Sequence, residues 1–96
     1  MCSSDLDRVI GMLRAAQEKG PQSRELVDAL FYLRRLWSIS IDDLHDPNKE
    51  LPDQLRAGIM SIGVWMMKEI DRVRGGVTDD LTPMIEINIL IRNGLK

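Results

Sequence analysis

The sequence predicts an all-α fold: a small bundle of about four helices, centred on an antiparallel pair at about residues 23–45 and 52–74. Three observations lead there. Apolar residues recur at three- and four-residue spacing along most of the chain, the period of a helix with one buried stripe. Three breaks, Gly20-Pro21, Asp46-Pro47-Asn48 and Gly75-Gly76, divide that pattern into segments of helical length. The second and third segments share one spacing of apolar positions, so their stripes can pack side by side across a short loop.

The first helix is expected from about Asp5 to Lys19, with Leu6, Val9, Ile10, Leu13, Ala16 and Gln17 on one stripe. Gly20-Pro21 ends it, because glycine suits the left-handed position past a helix and proline cannot continue one. The second opens at Ser23, a good N-cap. Its seam is Leu26, Leu30, Leu33, Trp37, Ile41 and Leu44. The third starts at Pro52, taken as the first helical residue, with the seam Leu55, Ile59, Ile62, Met66, Ile70 and Val73. The fourth segment carries two signals. Ile85, Ile87, Ile89 and Ile91 alternate like a strand. Thr82-Pro83 as cap and first residue, and Asn93-Gly94 as a stop, argue for a helix, with Met84, Ile87, Asn88 and Ile91 on one side.

The 96 residues form a single domain, 1–96. A net charge of −2, with 15 acidic residues, gives no basic footprint for nucleic acid. No apolar run reaches the ~20 residues of a membrane span. No signal peptide is recognisable, and one cysteine, Cys2, excludes an internal disulfide. The expected location is therefore the cytoplasm. Met1-Cys2-Ser3-Ser4-Asp5-Leu6 is also what GTG TGC TCT TCC GAT CT would encode, a string matching a common sequencing adapter. The expectation is that residues 1–6 are not native and that a native N-terminal segment is missing. The alternative is a genuine helix start capped by Ser3 or Ser4.

The chemistry-bearing inventory is small. The single histidine, His45, sits among Asp42, Asp43 and Asp46. A metal site would need further ligands that the sequence does not supply nearby, so a solvated helix end is the expectation. No nucleophile motif, phosphate loop or zinc-protease motif occurs. No catalysis, cofactor, metal or membrane association is expected. Arg34-Arg35 and Arg72 with Arg74 are local cations, but phosphate binding needs more of them in one place.

What stands out is surplus apolar surface. With Leu26 at zero and about 100° per residue, the second seam fills one arc, while Phe31 and Ile39 fall on the far side and flank Arg35 and Asp42. In the third helix Met60, Val64 and Met67 lie away from the seam, and Gly58 and Gly63 thin the helix for close approach. Phe31, Arg35, Ile39, Asp42, Met60, Val64 and Met67 are thus the candidate partner-binding residues. Cover by the first and fourth helices, or by a missing N-terminal piece, is the competing explanation. Asn88, set among isoleucines, reads either as a buried side chain bonded to a neighbouring element or as a partner contact.

The string "ALFYLRRLW…DDL…N…LPDQLRA…SIG", followed by "IEINILIRNGL", resembles the FlaF family of flagellar biosynthesis regulators of alphaproteobacteria. The likeness spans roughly Leu13 to Leu95. Its positions are Ala29, Leu30, Leu36, Trp37, Asp43, Leu44, Asn48, Leu51, Pro52, Leu55, Arg56, Ala57, Ser61, Ile62, Gly63, Asn88, Ile91, Gly94 and Leu95. Family members usually begin with a Tyr-rich start and an Ala-Arg-Glu-rich run, for which MCSSDL stands here. The resemblance implies a small cytoplasmic helical protein that supports flagellin synthesis and secretion, with flagellin and the translational regulator FlbT as partners. Two mechanisms follow from it: a flagellin-binding chaperone or adaptor, or a post-transcriptional regulator of flagellin mRNA, acting directly or through FlbT. The acidic balance disfavours direct RNA contact.

Overall fold

The computed structural model describes residues 3–44 and 52–94. The expected turn at Asp46-Pro47-Asn48, together with Cys2, His45, Leu51 and Leu95, lies outside the described residues. Within them are four helices: α1 (Ser3–Lys19), α2 (Arg24–Leu44), α3 (Asp53–Arg74) and α4 (Thr82–Gly94). No strand occurs among the described residues. The alternating isoleucines therefore belong to a helix that buries Met84, Ile85 and Asn88 and leaves Leu90 outside.

The helix ends show why the chain turns where it does. Gly20 follows α1 at φ 104°, a conformation that any residue with a Cβ adopts only under strain, and its N–H donates to the Ala16 carbonyl at 3.0 Å. The Ser23 hydroxyl accepts the Leu26 N–H at 3.2 Å and donates to the Gly20 carbonyl at 2.8 Å. It caps α2 and ties down the turn before it. At the end of α3, Gly76 at φ 78° donates to the Val73 carbonyl and Val77 donates to that of Arg72, the paired bonds of a Schellman stop.

Two starts differ from expectation by one residue. Pro52 is the cap of α3 rather than its first residue, with ψ 140° and no side-chain capping bond. The Ile85 N–H donates to the Leu81 carbonyl, so Leu81 is the cap residue of α4 and Thr82 its first. The side-chain acceptors come from elsewhere. The Asp80 carboxylate takes the Thr82 N–H at 3.0 Å, and Gln17 Oε1 on α1 takes the Leu81 N–H at 2.9 Å. The bonds from the Thr82 backbone and then its side chain hold the Asp80 carboxyl below its ordinary value.

α2 packs against both α1 and α3, and α1 also packs against α4. All three pairs run antiparallel. Arg8 lies over the Tyr32 ring in the α1–α2 pair, 5.5 Å from its centroid. Arg34 meets Asp71 in the α2–α3 pair, where Ile41 also lies against Gly63. Arg92 meets Asp7 and Thr82 meets Gln17 in the α1–α4 pair. The core is Leu6, Val9, Ile10, Leu13 and Ala16 of α1 against Leu26, Ala29, Leu30, Leu33 and Trp37 of α2, closed by Met66, Ile70 and Val73 of α3 and Leu81, Met84 and Ile85. Each fully buried large aliphatic side chain contributes roughly 1.5–3 kcal/mol. Leu6, from the opening stretch, is among the fully buried. α2 packs more extensively on α1 than on α3.

The reason lies in the register of the α2–α3 seam. With Ile41 against Gly63, Leu44 stands near Met60, so α3 runs on toward its N-terminus for about two turns beyond α2. Met66, Ile70 and Val73 are buried, Ile59 and Ile62 are half-buried, and Leu55 is 50% exposed although it lies in the middle of the same stripe. The expected seam is thus closed over its C-terminal half and open over the rest. The two glycines of α3 also part company. A Cβ at Gly63 would stand 2.7 Å from Ile41 Cδ1 and 3.5 Å from Trp37 Cε3, whereas one at Gly58 would meet open space. Only Gly63 serves a close approach.

Candidate partner-binding surface

The rotation of α2 and α3 about their axes fixes which side chains point outward. α2 turns Leu26, Leu30, Leu33 and Trp37 inward. Stepping about 100° per residue then carries Val27 and Phe31 past the α3 side and onto the outer face of the α2–α3 pair. Phe31 is 69% exposed and Val27 66%. On α3 the same rule brings Met60, Val64 and Met67 to the outer side. Val64 is 53% exposed, while Met60 and Met67 are half-buried and Met67 packs on the core edge. The Arg34–Asp71 ion pair, 2.5 Å long and largely exposed, crosses this face between the two apolar ends.

The seven candidate residues therefore do not form one continuous patch. Phe31 joins Val27 near the start of α2; Met60, Val64 and Met67 lie toward the other end of the pair. Arg35 and Asp42 are exposed on the back of α2. Ile39, 52% exposed, stands about 80° round the helix from Phe31. It is turned toward the α1 side and is separated from Phe31 by Arg35. Three exposed apolar residues escaped the sequence reading: Val27, Leu90 and Val77, the last just past the Gly75-Gly76 stop. Val27, one turn before Phe31, could have been found from the same helical wheel. Leu90, 65% exposed on α4, was hidden by its place in an isoleucine run.

Beside Phe31 the surface is concave. A cleft of about 320 Å³ is lined by Leu26, Leu30, Ile70 and Val73 at its floor, Pro21, Val27 and Phe31 along one side, and Arg34 and Arg74 at the rim. Arg34 binds Asp71 through Nη2, and its Nε is buried with no hydrogen-bond partner.

The remaining motif residues are structural in position. Trp37 is fully buried, and its indole N–H donates to Asn88 Oδ1 at 3.1 Å. Asn88, also fully buried, donates to the Met84 carbonyl at 2.6 Å and stands 3.9 Å from Met66 Sδ. One side chain thus ties α2, α3 and α4 together. Leu44 is buried, Leu36 and Arg56 are half-buried, Pro52 is exposed at the α3 cap, and Gly94 ends α4 in solvent. Asn48 lies outside the described residues. Glu69, nearly buried, is paired with Arg72 at 2.6 Å. Among the described residues no group of three metal-ligating side chains converges, and no helix is long and apolar enough to cross a membrane. What this surface offers chemically is apolar contact with a cationic edge.

The sequence profile of the family described as "Flagellar protein FlaF" matches residues 3–95. The chain belongs to the FlaF family. The FlaF match begins at Ser3, ten residues earlier than the likeness visible from Leu13 onward, and so takes in all of α1. No curated protein and no solved structure matches the sequence. FlaF membership gives this helical bundle a flagellar role.

Proposed function

We propose that this chain supports flagellin synthesis and secretion as a flagellin-binding chaperone or adaptor in the cytoplasm, acting by binding rather than by catalysis. The observation that carries the reading is the apolar outer face of the α2–α3 pair. Phe31, Val27 and Val64 are each more than half exposed on a domain that already has a full core. Exposed apolar groups gathered on one side of a small domain mark a docking site. The terminal segments of flagellin form helices on assembly and are unpaired before it. Such segments are suited to lie helix-in-groove on an apolar face, and the methionines at its far end adapt to varied side chains.

The test is co-purification of the chain with flagellin and, separately, with FlbT. Binding to flagellin alone supports the chaperone reading. Binding to FlbT but not flagellin replaces it with action on flagellin mRNA through FlbT. A gel shift with the flagellin leader RNA that weakens steeply with salt replaces it with direct RNA regulation.

A further inference from the structure

The cleft beside Phe31 has a specific chemistry. Its floor is aliphatic, from Leu26 and Leu30 on α2 and Ile70 and Val73 on α3, all buried or nearly so. Its side is apolar yet left in water at Val27 and Phe31. Its rim holds two guanidinium groups with unused donors. Arg34 spends one nitrogen on Asp71 and keeps a buried Nε without an acceptor. Arg74 is exposed and has no ion pair among the described residues. An exposed arginine fork such as that of Arg74 is matched best by a carboxylate.

Resting on the flagellin-binding reading, we infer that this cleft is where the partner docks, and that it takes an amphipathic helix with a large apolar side chain and a carboxylate within one turn of it. A cavity of about this size holds one or two anchor side chains rather than a whole helix, so the partner backbone lies across the mouth. The apolar anchor covers Phe31 and fills the aliphatic floor. The carboxylate reaches the exposed guanidinium of Arg74 and forms a charge-assisted bond there, beside the Arg34–Asp71 pair. Two cations are too few to follow a nucleic-acid backbone, and the aliphatic floor offers a phosphate nothing. A second copy of this chain could present Glu86 and Leu90, both exposed and one turn apart on α4. The flagellin-binding reading assigns the cleft to a different chain, and crosslinking between two copies is the outcome that reverses this assignment.

The experiment uses the full chain and purified flagellin. A photo-crosslinking amino acid is placed at Phe31, and affinity is measured in parallel for the parent chain, Val27→Asp, Arg74→Glu and, as a control on the opposite side of Arg35, Ile39→Asp. All four positions are exposed, and circular dichroism checks folding. The expected result is crosslinking from position 31 to an acidic, apolar helical stretch of flagellin. Val27→Asp and Arg74→Glu should each weaken binding by about tenfold or more, and Ile39→Asp should leave it unchanged. If the parent binds flagellin but Val27→Asp and Arg74→Glu bind equally well, the cleft is not the site, although the flagellin reading stands. Crosslinks only between two copies of the chain overturn the inference in favour of self-association. If the parent does not bind flagellin at all, the flagellin reading and this inference fall together.

Discussion

Replacing Asn88 with Ala tests the polar tie at the centre of the bundle. The side chain is fully buried, accepts the Trp37 indole N–H at 3.1 Å and donates to the Met84 carbonyl at 2.6 Å. In the variant that indole N–H stays buried, and losing its acceptor costs roughly 1–3 kcal/mol. The space left by the amide adds to the loss, while alanine returns up to about 0.7 kcal/mol as a better helix former. The net expectation is a destabilisation of about 2 kcal/mol, or a melting temperature lower by about 8–16 °C in a domain of this size. Urea unfolding followed by tryptophan fluorescence and by circular dichroism gives the value. Trp37→Phe and the double variant complete a cycle, with a coupling of about 1–2 kcal/mol expected. A loss below about 0.5 kcal/mol for Asn88→Ala, together with no coupling to Trp37, would refute the assignment of this bond as a principal tie.

Other outcomes follow from the same geometry. Gly63→Ala should be close to neutral, because a helix gain of about 1 kcal/mol offsets the displacement of the half-buried Ile41 tip. Gly63→Val also presses on Trp37 and should cost about 1–3 kcal/mol, read from chemical denaturation. Gly20→Ala forces a side chain into the left-handed region and should cost roughly 1 kcal/mol, seen as a lower melting temperature without loss of helix content. The Asp80 carboxyl is held below its ordinary value of 3.8 by the Thr82 N–H, so its contribution is present above that value and lost as the pH falls through the folded one. Asp80→Ala should therefore lower stability near neutral pH and converge with the parent chain in strong acid, in thermal melts run across that range. Phe31→Asp touches no core contact and should change stability by no more than about 0.5 kcal/mol.

Much of this architecture was legible because each helix boundary has a local chemical cause. Gly20 and Gly76 occupy left-handed backbone, and Ser23 caps α2 with its own hydroxyl. Periodicity located the α1 stripe and the inward face of α2. It could not give the longitudinal register between α2 and α3, because matching spacings fit at several offsets. Leu55 therefore read as seam although it ends up half exposed. The same limit made Phe31 and Ile39 look like one surface. Their separation depends on which flank of α2 each neighbour occupies, information carried by tertiary contact. The capping of α4 by Asp80 and Gln17 was hidden because Gln17 is 64 residues from the amide it serves. The cleft beside Phe31 needs side chains from both α2 and α3, so no local pattern could reveal it.

The overhang of α3 gives one continuous helix two different local stabilities. From Gly63 to Arg74 its hydrogen bonds are backed by buried side chains, whereas from Asp53 to Met60 only the half-buried Ile59 packs against the core. An unsupported helical stretch shorter than about 12 residues is marginal in water. Amide exchange should therefore be fast in the first two turns, slow sharply past Gly63, and approach the global unfolding limit near Ile70. A ligand settling on the overhang would have to suppress that fraying, whereas one settling in the cleft beside Phe31 meets a surface already held in place. At equal contact area the cleft should capture its partner at less entropic cost.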